Sequence, residues 1–159
     1  MKFYESGDNR KPVIFLFPGT CCLYNSFDHV LDGLYSYFYT VAVSYDGFDP
    51  NEKTEFYSME DECEKIEQEI RTKYGGRIKA AYGCSLGGSF VSLLIQRKRI
   101  HIDHGIIGSS DMDEAGSFMA KLQSSIIVPI MYKMVHTGKL PKFTQNKINE
   151  ADESRKKLI

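Results

Sequence analysis

Gly83-Cys84-Ser85-Leu86-Gly87-Gly88 is the stretch on which the fold turns. A mostly apolar run, Ile78-Lys79-Ala80-Ala81-Tyr82, precedes it, and a second, Phe90-Val91-Ser92-Leu93-Leu94-Ile95, follows. A strand, a G-x-S-x-G turn and a helix in that order form a nucleophile elbow, a bend that carries a serine hydroxyl out of the sheet. A serine on so sharp a turn takes a strained backbone conformation. Side chains two residues to either side of it would collide with the neighbouring strand and helix, so Gly83 and Gly87 leave that space empty. The Leu86 amide then falls in the first turn of the helix, where it lacks an intrahelical acceptor and is free to donate to a developing oxyanion. A chance G-x-S-x-G in a glycine-rich loop would lack the flanking strand and helix.

A second segment agrees. Val13-Ile14-Phe15-Leu16-Phe17 is an uninterrupted apolar run, as expected of a strand buried on both faces of a parallel sheet. It leads into Pro18-Gly19-Thr20-Cys21-Cys22. With Phe17-Pro18-Gly19-Thr20 as an oxyanion loop and Gly83 to Gly88 as the elbow, the chain resembles the α/β-hydrolase superfamily from about Pro12 to Ser110. The resemblance implies Ser85 as nucleophile and the amides of Thr20 and Leu86 as the oxyanion hole. Pro18 departs from the histidine that many relatives carry before the glycine, but it leaves the Thr20 amide intact.

The 159 residues suit one domain with room for a sizeable core, and the formal net charge of −1, from scattered residues, offers no footprint for nucleic acid. The apolar stretches are too short and interrupted to cross a bilayer, and Met1-Lys2-Phe3-Tyr4-Glu5-Ser6 lacks a signal-peptide core. Cys21, Cys22, Cys63 and Cys84 have neither a disulfide framework nor metal spacing, which fits reduced thiols in a cytoplasmic protein that needs no metal or cofactor. Cys84 reads as a small packed residue beside the elbow, and the terminal Lys156-Lys157-Leu158-Ile159 as a solvated helix end rather than a retrieval signal.

The remaining pattern alternates strand and helix. Lys2 to Ser6 reads as a short edge strand, and Gly7 to Pro12 as a turn. Phe27, Val30, Leu31 and Leu34 have helical spacing within 26–38, with Ser26 as N-cap. Thr40 to Ser44 is the next strand. Ser58 caps a helix with acidic residues in its first turn, a stripe of Cys63, Ile66 and Ile70, and Gly75-Gly76 as its stop. Ile102 to Ser110 holds one more strand. The expected fold is a mainly parallel, doubly wound sheet of α/β-hydrolase type, incomplete at its C-terminal side, over 1–110, with a helical lid-like segment over 111–159. In that segment Met119, Leu122, Ile126, Ile127, Ile130, Met131 and Met134 either line a lid or pack into core, and methionine suits both. A sheet cut off after the strand at Ile106 leaves an unpaired edge, so self-association is expected.

A serine hydrolase needs an acid and a histidine base, in the chain order serine, acid, histidine. Asp111, just past the strand that follows the elbow, is a candidate acid, although a carboxylate there more commonly caps the helix that follows. His136 alone among the histidines follows it, and would need a fold-back to reach Ser85. His101 and His104 precede or begin the last strand, at the far end of the sheet, and His29 reads as a surface residue on the first helix. No strand-like run follows Ser110, which suggests the first part of a longer hydrolase. Without a base the serine hydroxyl stays protonated and weak. Two readings of function remain open: a serine hydrolase acting on a small carboxylic ester or thioester through an acyl-enzyme on Ser85, and a binding module that keeps the fold without a triad. A phosphate-cradling loop is the weakest alternative, since the glycine spacing fits neither G-x-G-x-x-G nor the P-loop.

Overall fold

The computed structural model describes residues 1–49 and 51–110, together with Ser125 and Pro129. Five strands, β1 (Lys2–Ser6), β2 (Val13–Phe17), β3 (Tyr39–Ser44), β4 (Arg77–Cys84) and β5 (His101–Gly108), form one sheet in the order β1-β3-β2-β4-β5. β1 runs antiparallel to β3, and every other neighbouring pair is parallel. The helices are α1 (Asp28–Tyr35), α2 (Met59–Tyr74) and α3 (Leu86–Arg97). These elements belong to one compact unit, Met1–Met112.

The apolar run of β2 is explained by its central position. Phe15 and Phe17 point into the larger core with Ile66 and Ile70 of α2 and Phe90, Val91 and Leu94 of α3. Ile14 and Leu16 point the other way, toward Phe27 and the partly buried Leu31 and Leu34 of α1. Removing each such large side chain from water contributes roughly 1.5–3 kcal/mol, which selects a buried strand over any exposed placement. Helices therefore cover both faces of a mostly parallel sheet, as the alternating pattern predicts.

α2 follows its sequence signals closely. Ser58 Oγ accepts the Asp61 N–H at 3.1 Å, and Glu60, Asp61 and Glu62 lie in the first turn. Cys63, Ile66 and Ile70 are fully buried. Gly75 ends the helix at φ 65, where the Gly76 N–H donates to Ile70 O at 3.0 Å. The sequence gives no sign that Glu62 and Glu67 are fully buried in the same helix. Glu62 accepts the Asp46 N–H at 3.0 Å and the Lys65 ammonium at 2.7 Å, and Glu67 accepts Arg97 Nε of α3 at 2.7 Å. Each charge is thus paired, and Glu67 ties α2 to α3.

The first helix departs from expectation. Ser26 is not its N-cap: it lies within a short 3₁₀ turn, Tyr24–Phe27, and α1 begins at Asp28 with no side-chain cap from the preceding Phe27. The turn carries the Phe27 ring into the core, edge-on to Tyr82 at 6.1 Å, and burial of that ring outweighs a serine cap worth about 1 kcal/mol. α1 stops at Tyr35, three residues short of the expected end, where Lys11 Nζ donates to Tyr35 O and Ser36 O at 2.5 and 3.2 Å. Val30, expected on the buried stripe, is exposed. Asp111, His136 and the lid-like stretch lie outside the described residues, apart from Ser125 and Pro129. Among the described residues no helix is long and apolar enough to cross a membrane.

Candidate active site

β4 ends at Cys84, α3 begins at Leu86, and Ser85 alone makes the bend between them. Its backbone takes φ 53 and ψ −119, a conformation that costs a non-glycine residue on the order of 1–3 kcal/mol. Such strain persists only where neighbours enforce it. The Ser85 N–H donates to Gly108 O of β5 at 2.9 Å, and Ser85 O accepts the N–H groups of Gly88 and Ser89 at 2.9 and 3.2 Å. The serine is thereby clamped between a strand end and the first turn of a helix.

Close packing around the bend dictates its glycines. A Cβ on Gly83 would stand 2.1 Å from the carbonyl oxygen of Gly87, and one on Gly87 would stand 2.0 Å from the carbonyl oxygen of Phe17 in β2. The first contact fixes strand against helix and the second fixes helix against the neighbouring strand, so any side chain at 83 or 87 would force the bend open. Gly88 is similarly confined, since a Cβ there would lie 2.5 Å from Ser110 Cβ. Neither the Gly108 bond nor the Ser110 contact can be read from the sequence, because both join the elbow to residues more than twenty positions away.

The loop after β2 reaches the same place. A Cβ on Gly19 would lie 3.3 Å from Cys84 O and 3.6 Å from Ser85 Cβ, so the backbone preceding Thr20 passes directly beside the serine. The loop then turns back, with the Cys22 N–H donating to Gly19 O at 3.1 Å and Cys21 at φ 61. Leu86 is the first residue of α3. Among the described residues, neither the Thr20 nor the Leu86 amide donates to a backbone acceptor. Stabilisation of a tetrahedral oxyanion requires peptide donors free of other acceptors beside the nucleophile.

One residue supporting this loop escaped sequence reasoning. Tyr45, 1% exposed just after β3, donates its hydroxyl to Pro18 O at 3.1 Å and stacks on Phe90 of α3 with ring centroids 4.5 Å apart. Burial, with help from the nearby Cys63 and Glu62, pushes its phenol far above the usual range, so it stays a donor.

The histidines divide by position. His101 opens β5 opposite Arg77, so it stands seven residues, roughly 23 Å, from the strand end at which Ser85 sits. There it lies 3.1 Å from Asp103. His104 faces Ala80 in mid-strand and is exposed. His29, exposed on α1 as expected, borders an apolar cavity of about 630 Å³ with Phe27, Leu34, Tyr82 and Ile106. Cys84 is half-buried and Cys63 buried, its thiol pushed up to about 12 by burial, while Cys21 and Cys22 are exposed. All four cysteines are free. Among the described residues no group of three metal-ligating side chains converges.

No protein-family model matches the chain, and no curated protein does. Solved structures do match it. A protein assigned to the α/β hydrolase family from Desulfitobacterium hafniense superposes with a TM-score of 0.75 at 17% identity, over 88% of this chain and 56% of that one. A hydrolase from Pseudomonas aeruginosa PA01 gives 0.70 at 17% identity, over 85% and 51%. A carboxylesterase structure from the ammonia-oxidizing thaumarchaeon Nitrososphaera gargenis gives 0.61 at 17% identity, over 79% and 49%. The chain thus spans about half the length of the structures it resembles, and at these identities the likeness is one of fold: the five-stranded sheet, its helices and the bend at Ser85 form an incomplete α/β-hydrolase fold.

Proposed function

We propose that this chain carries the nucleophile and the oxyanion hole of a serine hydrolase acting on a small carboxylic ester or thioester. The observation that supports this most is the backbone of Ser85, held at φ 53 and ψ −119 between a parallel strand and a helix. In the proposed reaction the Ser85 hydroxyl oxygen attacks the substrate carbonyl carbon. The carbonyl oxygen becomes an oxyanion, stabilised by the amides of Thr20 and Leu86. Collapse of that intermediate expels the alcohol or thiol, which takes up the serine proton through a histidine base, and leaves an acyl-serine. Water then attacks the acyl carbon and loses a proton to the same base, the bond to Ser85 Oγ breaks, the proton returns to Oγ, and the carboxylic acid leaves. The carboxylesterase among the structural neighbours favours this substrate class. On this reading Asp111 is the candidate acid. His101 and His104 lie too far along β5 to act as base, and His136, beyond the described residues, is a candidate for that role.

A fluorophosphonate provides the test. In a protein that supplies the histidine base it should add one phosphonyl group to Ser85, located by peptide mass spectrometry, and Ser85→Ala should abolish labelling and any hydrolysis of short-chain aryl esters; without a base, labelling should be slow or absent. Loss of a nucleophile of this kind costs several powers of ten in turnover, so the effect is unmistakable. The result that would sink the proposal is a folded protein whose Ser85 stays unlabelled while another serine reacts. No labelling anywhere would favour a ligand-binding module built on the same fold.

A further inference from the structure

We infer that Tyr45 is a positioning residue for this site, its hydroxyl fixing the Pro18-Gly19-Thr20 loop against Ser85 through the Pro18 carbonyl. The inference rests on the reading of Ser85 as nucleophile and Thr20 as an oxyanion donor. Thr20 lies outside β2, so the sheet ladder does not hold its amide. Its aim depends on the two peptides before it. The Pro18 carbonyl belongs to the first of those peptides, and Tyr45 Oη donates to it at 3.1 Å in a buried setting. The loop is also confined at Gly19, where an added Cβ would lie 3.3 Å from Cys84 O and 3.6 Å from Ser85 Cβ. A loop held at two consecutive residues has little freedom to rotate its amides.

The tether is itself anchored to the element that carries the second donor. The Tyr45 ring lies nearly parallel to Phe90 of α3, 19° between planes, and edge-on to Phe48 at 5.4 Å. Leu86, the other proposed donor, begins the same helix. Tyr45 thus joins the loop bearing one amide to the helix bearing the other, and adds a side-chain tether to the backbone contacts that Gly19 and Gly87 make there. A phenol is well suited to this position, because burial keeps it protonated and Pro18 offers it a carbonyl in a place that water does not reach. Misaligned oxyanion donors cost turnover rather than substrate affinity, because the charge they stabilise exists only in the transition state.

The test uses Tyr45→Phe, which keeps the ring stack and deletes the donor. Fluorophosphonate labelling of Ser85 should slow at least tenfold, and for any aryl ester turned over kcat should fall with KM little changed. Independently of chemistry, ¹⁵N relaxation should show the order parameters of the Gly19 and Thr20 amides falling from about 0.85 toward 0.6, with those of β2 and α3 unmoved. Ile78→Val, a buried truncation at the end of β4 opposite Ser85, controls for general destabilisation and should leave both readouts at parental values. If Ser85 of the parent fails to react, the chemical reading falls, while the relaxation arm still decides whether Tyr45 orders the loop. Unchanged relaxation and unchanged labelling in Tyr45→Phe would overturn the inference.

Discussion

Gly87→Ala tests the geometry of the elbow without touching a reactive group. The new Cβ would start 2.0 Å from Phe17 O and 2.6 Å from Phe17 C. Carbon and carbonyl oxygen do not approach closer than about 3 Å, so β2 and α3 must part by about 1 Å. Both obstacles are backbone, and neither can swing aside as a side-chain end would. Forced overpacking of this kind costs about 1–3 kcal/mol, and a clash with two backbone atoms belongs at the upper end. Alanine recovers about 1 kcal/mol of helix propensity, which leaves a net loss of about 2 kcal/mol. Against a total of roughly 5–15 kcal/mol this is a large fraction.

The matched control is Gly33→Ala in α1, where the added Cβ meets nothing within 4 Å. There the propensity gain stands alone, and stability should rise by about 1 kcal/mol. Urea denaturation followed by circular dichroism reads both, with the two midpoints moving in opposite directions from the parent. The same displacement of α3 carries the Leu86 amide away from the loop at Thr20, so Gly87→Ala should also slow fluorophosphonate labelling, whereas Gly33→Ala should not. An alanine at 87 that stabilises the protein as one at 33 does would refute the close packing of β2 on α3, and with it the account of why the motif requires glycine.

The buried pair between α2 and α3 should respond to partner loss more than to joint replacement. Arg97→Met leaves Glu67 with only Arg99 Nη1 at 3.6 Å and should cost about 2–3 kcal/mol in urea unfolding, whereas Arg97→Met with Glu67→Met should regain most of it; strictly additive losses would contradict the pairing. Ellman's reagent should titrate Cys21 and Cys22 in the native protein and reach Cys63 only after unfolding, since burial raises that thiol to about 12; prompt native reaction of Cys63, located by peptide mapping, would show the core to be open. Glu5 is held below its usual 4.5, first by the Tyr74 hydroxyl and then by Tyr39 and Lys73. Its contribution to stability is therefore complete above pH 4.5 and lost as pH falls through the lower folded value, so Glu5→Gln should flatten that part of the acid limb of a stability profile. An unchanged acid limb would mean that these contacts do not persist in solution.

What the sequence discloses about this fold is what local physics controls. The Ser58 cap, the Cys63-Ile66-Ile70 stripe and the Gly75 stop of α2 are each set by residues within a few positions of one another. The same holds at the elbow for Gly83, whose missing side chain leaves room for the Gly87 carbonyl four residues on, while Gly87 makes room for the distant Phe17 carbonyl of β2. Ser26 misleads because a local cap preference competes with a distant partner: Tyr82, far along the chain, draws Phe27 inward and resets the helix start. Glu62 and Glu67 are invisible for a related reason. Their burial depends on Asp46, Lys65 and Arg97, and nothing in a run of alternating charges distinguishes a solvated glutamate from one facing a guanidinium on another helix.

The candidate site divides along the same line, and the division bears on how it works. Ser85 and its glycines can be read locally because the strain they embody is local. Most of the restraints that sustain the strain cannot, because beyond the Gly88 and Ser89 N–H groups they come from β5 and β2. Three elements converge instead: β5 receives the Ser85 N–H at Gly108, α3 draws the Ser85 carbonyl into its first turn, and β2 presses Phe17 against Gly87. Each belongs to the rigid core rather than to a loop, so the bend cannot relax without unpairing a strand or unwinding a helix end. The Thr20 loop has no such ladder and depends on Tyr45 and the Gly19 contact. The two proposed oxyanion donors are therefore unequal. The amide of Leu86 is fixed by the fold itself, while that of Thr20 is held by the Tyr45 hydroxyl, the Gly19 contact and the Cys22 N–H turn, so perturbations of the loop, not of the elbow, are where the chemistry of this site can be tuned without unfolding the sheet.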